Sequence, residues 1–223
     1  MAKKIVVSFS GGKDSMLALH KLLESNEYEV DSLLTTINED HRRTSIHGIR
    51  EEILDAQAKS LGFRVRKVKI PTVCTNEIYE ERMREEMDKL SEAGIRHVMF
   101  GDIFLADIRE YRESKLKQAG IGGVFPLWGR KSAELIDEFL SLGYRTVITT
   151  LDQTKLDKDF LGREINRDWI ADIPENVDPC GENGEFHTMV VNGPLFSREI
   201  AVEQENHTVT EGNFIYRDFK LSE

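Results

Sequence analysis

The sequence predicts an α/β fold: a parallel sheet with helices on both faces, followed by a smaller C-terminal α+β domain. The main observation is an alternation of short apolar runs with segments whose apolar residues recur about every 3.6 positions, which is typical of strands alternating with helices. Strands joined by such helices lie parallel in a sheet. Turn residues then accumulate between 120 and 129, and the pattern beyond them is mixed. A boundary near Pro126 gives predicted domains of residues 1–125 and 126–223.

Each element follows from its own residues. The first strand, 5–9, is a continuous apolar run, and the first helix begins after it with apolar residues at 16, 17, 19, 22 and 23. Further strands are predicted over 30–37, 63–70, 95–100 and 146–150. Further helices are predicted over 49–61, 76–93, 107–118 and 133–142, and the tail ends in short strand-like runs.

Composition limits the class of protein. The 223 residues are 39% hydrophobic and 31% charged, proportions typical of a soluble globular chain. The net charge of −10 argues against a broad nucleic-acid-binding surface. Without a long apolar run or a signal peptide pattern, a cytoplasmic protein that binds no membrane is expected, with Cys74 and Cys180 as reduced thiols. A homo-oligomer is possible.

A phosphate-binding turn is expected at residues 10–15, which read Ser-Gly-Gly-Lys-Asp-Ser between the first strand and the first helix. The N–H groups and the dipole of a helix N-terminus attract anions. Gly11 and Gly12 let the backbone approach a ligand, and Lys13 adds a positive charge. The alternative is a glycine-rich turn that binds nothing. The segment does not match a Walker A loop or a dinucleotide fingerprint. It resembles the PP-loop of the ATP pyrophosphatases, which cleave ATP between the α- and β-phosphates.

Polar residues also follow the second and fourth strands, whose carboxyl ends should lie beside this turn. Ser45 and His47 could contact the adenine or the α-phosphate, or cap the next helix. Asp102, beside Gly101, could hold magnesium and orient phosphates, or cap a helix. Arg112 could bind a phosphate or carboxylate, or be a surface arginine.

The richest late cluster is 178–188, which reads Asp-Pro-Cys-Gly-Glu-Asn-Gly-Glu-Phe-His-Thr. Glu182, Glu185 and His187 could hold a substrate, act as acid or base, or bind a metal, although the spacing matches no usual zinc pattern. The alternative is a polar turn. Cys180 could be a nucleophile or a small buried thiol.

Together these motifs resemble the diphthine–ammonia ligase family of ATP pyrophosphatases. The resemblance implies an adenine nucleotide α-hydrolase-like (HUP-type) domain and a smaller domain that closes the cleft. The late Gly-Glu-x-Gly-Glu-Phe-x-Thr motif with Pro-Leu-Trp-Gly is specific to this family. The shared segments, in chain order, are 10–15, 46–47, 101–103, 126–129 and 181–188.

The family reaction would be ATP-dependent amidation with Mg²⁺. A substrate carboxylate displaces pyrophosphate from the α-phosphate, and ammonia attacks the acyl-adenylate to give an amide and AMP. In the family the carboxylate belongs to diphthine, a modified histidine of translation elongation factor 2, which is therefore an expected partner. The expected catalytic residues are Lys13, Asp14, Glu182 and Glu185. The expected ATP contacts are Ser10, Gly11, Gly12, Lys13, Asp14, Ser15, Ser45, His47, Gly101 and Asp102, with Asp14 and Asp102 also holding Mg²⁺. The expected substrate contacts are Tyr111, Arg112, Trp128, Gly129, Gly181, Glu182, Gly184, Glu185, His187 and Thr188.

One segment departs from the family. After Gly-x-Ile the diphthine enzymes usually read Ser-x-Tyr-Gln-Arg, whereas residues 104–112 read Phe-Leu-Ala-Asp-Ile-Arg-Glu-Tyr-Arg. This difference affects the acceptor more than ATP use. Two other functions stay open: a PP-loop enzyme that modifies transfer RNA, and a sensor that binds ATP or AMP without cleaving it. The acidic charge counts against the first, and the intact loop residues count against the second.

Overall fold

Two sheets organise the chain in the computed structural model, which describes residues 2–222. Met1 and Glu223, the outer ends of the two predicted domains, lie outside the described residues, and the boundary near Pro126 stays a prediction. The first sheet contains β1 (Lys3–Ser8), β2 (Tyr28–Asn38), β3 (Arg43–Thr44), β4 (Val65–Ile70), β5 (His97–Met99) and β6 (Gly122–Val124). Its helices are α1 (Lys13–Ser25), α2 (Glu51–Leu61), α3 (Asn76–Glu92) and α4 (Ala106–Gln118). The remainder forms α5 (Ser132–Ser141), β7 (Arg145–Asp152), a 3₁₀ helix (Lys158–Phe160), α6 (Arg167–Asp172), β8 (Phe186–Asn192), β9 (Val202–Glu211) and β10 (Phe214–Leu221).

The first sheet is parallel except at β3. Its parallel order is β4–β2–β1–β5–β6, and the two-residue β3 pairs antiparallel with the end of β2. The chain therefore builds outward from β1 in one direction through β2 and β4, and in the other through β5 and β6. In such a sheet, ligands bind beyond the carboxyl ends of the strands where the order reverses. That point lies between β1 and β5.

The sheet is buried on both faces because neighbouring side chains of a strand point in opposite directions. Ile5 and Val7 pack into one core with residues of α1 and α2. Val6 packs into a second core, which includes Met87 of α3 and Leu116 of α4. The predicted parallel sheet with helices on both faces is confirmed. No helix within residues 2–222 is long and apolar enough to cross a membrane.

The second sheet is antiparallel, with strand order β8–β7–β10–β9. Its inward side chains, among them Ile148 and Phe186, belong to the same core as Leu17 of α1. The C-terminal α+β region therefore packs onto α1 and reaches the carboxyl edge of the first sheet. The sequence patterns missed β3, β6 and α6, because each is too short for a period to emerge. Asn166 caps α6 by accepting a hydrogen bond from Trp169 N at 2.8 Å.

Candidate active site

A cavity of about 550 Å³ opens between the carboxyl ends of β1 and β5, a size typical of small-molecule sites. Its walls come from the PP-loop, the end of β2, the loop before α2, helices α3 and α4, and the loop before β8. The predicted site residues that line it are Ser10, Lys13, Asp14, Ser15, Ser45, His47, Gly101, Asp102, Tyr111, Arg112, Gly181, Glu182, Gly184, His187 and Thr188. The predicted site residues that do not line it are Gly11, Gly12, Trp128, Gly129 and Glu185.

The PP-loop delivers the N-terminus of α1 to this cavity. Gly12 is the N-cap residue, and no side chain caps the helix through it. Its N–H donates to Ser10 Oγ at 3.3 Å, and Ser10 Oγ lies 3.1 Å from Ser15 Oγ. The N–H of Lys13 donates to Thr188 Oγ1 at 3.1 Å. The N–H groups of Gly12 and Lys13 therefore donate to neutral hydroxyls, and the acidic residue of the first turn, Asp14, binds the Lys13 ammonium through its carboxylate. The N-terminus of α1 keeps the positive end of its dipole towards the cavity.

Two glycines permit the close packing around this loop. A Cβ on Gly12 would lie 2.5 Å from Cε1 of His47 and 3.0 Å from the carbonyl oxygen of Thr188. A Cβ on Gly101 would lie 2.8 Å from the carbonyl carbon of Asp14 and 2.9 Å from Ser15 N. The backbone after β5 therefore runs directly against the start of α1.

Lys13 is buried, with 3% of its surface exposed. Its Nζ donates to both carboxylate oxygens of Asp14, at 2.9 and 2.7 Å, and to the carbonyl oxygen of Cys180. Burial opposes the charge of the ammonium group, but the neighbouring acidic groups, Asp14 first among them, together outweigh burial, and the pKa of Lys13 is raised. This end of the cavity thus contains an ion pair between Lys13 and Asp14.

Three carboxylates share the same end of the cavity. Glu182 accepts a hydrogen bond from Ile103 N at 2.8 Å. Burial, and then the nearby charges of Asp14 and Asp102, raise the pKa of Glu182 to about 7. Burial also raises the pKa of Asp102, although Arg112 acts in the opposite direction.

Asp102 does not cap a helix, since α4 begins at Ala106 and its N-cap is Leu105. Its Oδ2 lies 2.8 Å from Arg112 Nε, yet outside hydrogen-bond alignment, so this buried oxygen has no hydrogen-bond partner among residues 2–222. Mg²⁺ in nucleotide sites is bound through one or two carboxylates, phosphates and water. Asp102 offers an unpartnered oxygen for that role, whereas both oxygens of Asp14 bind Lys13 Nζ. In residues 2–222 no cluster of three or more His, Cys, Asp or Glu side chains has the geometry of a resident metal site, so magnesium stays a prediction.

His47 and His187 lie side by side, with ring centroids 4.8 Å apart. His47 Nδ1 lies 2.8 Å from the carbonyl oxygen of Thr188, which can only accept, so Nδ1 carries the proton. Burial lowers the pKa of both imidazoles, which are therefore neutral at pH 7. Neither Ser45 nor His47 caps α2, whose N-cap is Arg50.

Glu185 is placed inside the late loop and away from the cavity. It is 2% exposed, and its Oε1 accepts hydrogen bonds from Asp178 N at 3.1 Å and Asn183 Nδ2 at 3.2 Å. This geometry supports a role for Glu185 in holding the loop. It does not support the expected catalytic role, in which Glu185 would contact the substrate.

Trp128 and Gly129 are also placed behind the cavity wall. The ring centroids of Trp128 and Phe125 each lie 4.6 Å from the guanidinium of Arg109. Gly129 N donates to the carbonyl oxygen of Ile103 at 2.8 Å. Both residues therefore shape the segment after β5. The geometry does not support the expected direct contacts of Trp128 and Gly129 with substrate.

Cys180 has the surroundings of a structural thiol. Its side chain is buried, its Sγ donates to the carbonyl oxygen of Ser132 at 3.4 Å, and burial raises its pKa to about 12. A nucleophilic cysteine requires an accessible thiolate. The alternative that Cys180 is a nucleophile is therefore not supported. Cys180 contributes its backbone carbonyl, which accepts a hydrogen bond from Lys13 Nζ.

Sequence reasoning missed Gln57. Its buried Nε2 donates to the carbonyl oxygens of Gly11 at 3.0 Å and Val190 at 2.7 Å, and Val190 N donates to Gly11 O at 2.9 Å. Gln57 thus joins the PP-loop to β8. One feature of the sequence could have indicated Gln57: it is a polar residue on the apolar side of α2, between Leu54 and Ala58.

Comparison with known proteins agrees with this geometry. The model of the diphthamide synthase N-terminal domain matches residues 3–122, and that of the C-terminal domain matches residues 131–220. The chain belongs to the diphthamide synthase family. The predicted family is confirmed, and with it the prediction of an ATP-dependent ligase of the PP-loop type.

Two relatives of this chain share about a quarter of its residues at aligned positions. The diphthine–ammonia ligase of Bos taurus is 24% identical over 222 residues, which cover 90% of this chain and 83% of that protein. The Rattus norvegicus enzyme of the same name is 25% identical over 228 residues, with the same coverage. A solved structure, a predicted subunit of tRNA methyltransferase from Methanocaldococcus jannaschii, aligns with a TM-score of 0.43 at 20% identity, over 66% of this chain and 80% of that one.

Proposed function

We propose that this protein uses ATP to activate the carboxylate of diphthine on translation elongation factor 2 and transfers it to ammonia, forming the amide. The observation that carries the proposal is one shared cavity. It contains the PP-loop with Lys13 at one wall and Glu182, with a pKa of about 7, at another. A phosphate site and a group that can exchange a proton at neutral pH are what this reaction needs.

In the first step, a carboxylate oxygen of the acceptor attacks the α-phosphorus. The bond from that phosphorus to the bridging oxygen breaks, and pyrophosphate leaves with the electron pair. Lys13 and the N-terminus of α1 stabilise the negative charge that develops on the phosphates. Asp14 and Asp102 would hold a magnesium ion, which would neutralise phosphate charge when bound.

In the second step, ammonia attacks the acyl carbon, and the bond from that carbon to the AMP oxygen breaks. The nitrogen must lose a proton as the amide forms. The deprotonated Glu182 accepts it, because a base works best when its pKa lies near the operating pH. Its hydrogen bond from Ile103 N holds the carboxylate towards the cavity.

The choice of acceptor is supported by the family and by the open side of the cavity. The relatives described above are named diphthine–ammonia ligases. Tyr111 and Arg112 line the cavity on α4, and Tyr111 is exposed, so this side offers an entrance for a residue of another protein. Arg112 provides a guanidinium that recognises carboxylates.

The test is product analysis with labelled ATP, Mg²⁺ and ammonium, with and without purified elongation factor 2 carrying diphthine. AMP and pyrophosphate should form only with the factor, whose mass should fall by the difference between a hydroxyl and an amino group. AMP without a change in the factor would refute this acceptor while retaining the ATP pyrophosphatase. Nucleotide binding with no AMP in the complete mixture would refute the catalytic proposal and favour a sensor.

A further inference from the structure

The loop of residues 43–50 forms part of the cavity wall and is closed on itself. Arg43 and Arg50 form an antiparallel bridge at its base. Thr44 N donates to Ile49 O at 2.8 Å just above that bridge. At its tip, Ile46 is 59% exposed, whereas Thr44 and Ile49 nearer the base are buried. Arg43 and Thr44 pair with the end of β2, so the position of the tip follows from how the base is held.

Besides its pairing with β2, the base is held from the far end of the chain, by Asp218 of β10. The Asp218 oxygens accept hydrogen bonds from Arg43 Nη1 and Nη2 at 2.7 and 2.8 Å, and from Arg50 Nε and Nη2 at 3.1 and 2.6 Å. The imidazole of His207 lies further away, with Nε2 3.8 Å from Asp218 Oδ2. Both guanidiniums thus bind one carboxylate through two hydrogen bonds each, an arrangement that fixes direction as well as distance.

The charged carboxylate of Asp218 is largely shielded from water. Asp218 is 7% exposed, and the arginine side chains are 31% and 28% exposed. Burial opposes ionisation of Asp218, but the hydrogen bonds from Arg43 and Arg50 outweigh it and lower its pKa. Removing the carboxylate would take away the counter-charge that the two guanidiniums share and leave Arg50 its 3.5 Å contact with Glu52, so the two arginines would separate.

Two weaker contacts join the loop to the same region. His47 Nδ1 donates to Thr188 O at 2.8 Å, and Thr150 Oγ1 donates to His47 O at 3.4 Å. The first places the imidazole, the second holds the backbone of His47, and neither holds the base of the loop. If the clasp on the base opens, these contacts remain, together with the pairing of Thr44 with Ile37 and the Thr36–Ser45 hydroxyl contact at 3.0 Å, and none of them is an ion pair.

We propose that Asp218 is a positioning residue for the nucleotide site: by clasping Arg43 and Arg50 it holds the 43–50 loop so that Ser45 and His47 face the cavity. The inference rests on the proposed function, since it takes the cavity to be the ATP site. Asp218 itself does not line the cavity.

The test compares Asp218→Asn with Glu164→Gln in the full chain. Glu164 is a matched control because it also binds an arginine, Arg145, through two hydrogen bonds at 3.1 and 2.9 Å, and it does not line the cavity. Binding of a non-hydrolysable ATP analogue is measured by calorimetry, and amide hydrogen exchange of residues 44–49 is measured without nucleotide. Asp218→Asn should weaken binding about tenfold, equivalent to about 1.4 kcal/mol, and speed exchange in the loop, whereas Glu164→Gln should do neither.

A double variant separates positioning from general destabilisation. If Asp218 acts through the loop, adding Asp218→Asn to His47→Ala should weaken analogue binding by much less than about tenfold, because interacting residues are not additive. Should Asp218→Asn fail to fold, Arg43→Lys provides the same comparison, since it keeps the charge and loses the two-pronged geometry.

The outcomes are distinct. Wild-type affinity in folded Asp218→Asn, or full additivity in the double variant, would overturn the inference while leaving the proposed function standing. A wild-type protein that does not bind the analogue would refute the proposed nucleotide site and this inference together. Weaker binding with faster exchange confined to the loop would support it.

Discussion

Replacing Gly101 with alanine should move the start of α1 relative to the end of β5. The new Cβ would lie 2.8 Å from the carbonyl carbon of Asp14, and 3.4 Å is the start of ordinary contact, so the two backbones must separate by about 0.6 Å. Because the obstacle is backbone, no side chain can rotate to relieve it. Such overpacking costs about 1–3 kcal/mol, against a gain of about 0.4–1 kcal/mol from restricting the unfolded chain.

The expected result is a net loss of about 1–2 kcal/mol in the free energy of unfolding, or about 2–8 °C in Tm for a chain of this length. The displacement falls on Asp14 and Ser15, which line the cavity. A misplacement of about 1 Å can cost a hundredfold in rate, so about 0.6 Å predicts a loss of about tenfold in kcat/KM for ATP. Urea denaturation gives the stability, and AMP formation at varied ATP gives the kinetics.

Gly122→Ala is the matched control, since Gly122 also lacks a positive φ and its added Cβ would meet nothing closer than 3.7 Å. This variant should keep its kinetics and its stability, or gain slightly in stability. Wild-type kinetics in a folded Gly101→Ala would show that the close approach of β5 to α1 has no bearing on the site. Equal losses in both variants would show that the predicted clash is not the cause.

Three further predictions concern the cavity. Asp14→Ala and Ser15→Ala should abolish pyrophosphate release while the circular dichroism spectrum stays native; normal release by both would remove the PP-loop from the reaction. At constant free ammonia, amide formation should rise with pH through about 7 as Glu182 loses its proton, and Glu182→Gln should be slow without that rise; an unchanged pH profile would exclude Glu182 as the base. Cys180→Ser should keep most activity, measured by the same AMP assay, because the Lys13 contact uses the backbone carbonyl and the thiol has a pKa of about 12; loss of activity in a stable Cys180→Ser protein would revive a chemical role for the thiol.

The elements that the sequence predicts well are those whose cause is local. The apolar run over 5–9 and the glycine pair at 11–12 give β1, the PP-loop and the start of α1 within a few residues of their observed bounds. Asp102 was placed correctly at the end of a strand, because the carboxyl edge of a parallel sheet follows from strand order alone. Its alternative role as a helix cap needed the exact start of α4, which is the least predictable property of a helix.

The missed features depend on contacts between distant segments. Glu182 has a pKa of about 7 because the fold buries it and also brings it near Asp14 and Asp102, and no local pattern encodes that burial or those distances. Glu185 differs from Glu182 by three positions, yet the turn directs it inward onto Asp178 N and away from the cavity. The clasp by Asp218 joins residues 168 and 175 positions apart. Such partners cannot be paired from one sequence.

The C-terminal region therefore contributes to the proposed active site as directly as the N-terminal region does. Lys13 and Asp14 belong to the PP-loop, but Lys13 also donates to Cys180 O, and Lys13 N donates to Thr188 Oγ1. Gly11 O accepts from Val190 N in β8. Helix α1 supplies its dipole and Lys13. The C-terminal loop supplies Cys180 O and Thr188 Oγ1, which orient them, and the carboxylate of Glu182. Because each half of the chain leaves the proposed phosphate site incomplete, the geometry of that site and the packing of the two sheets must be established together.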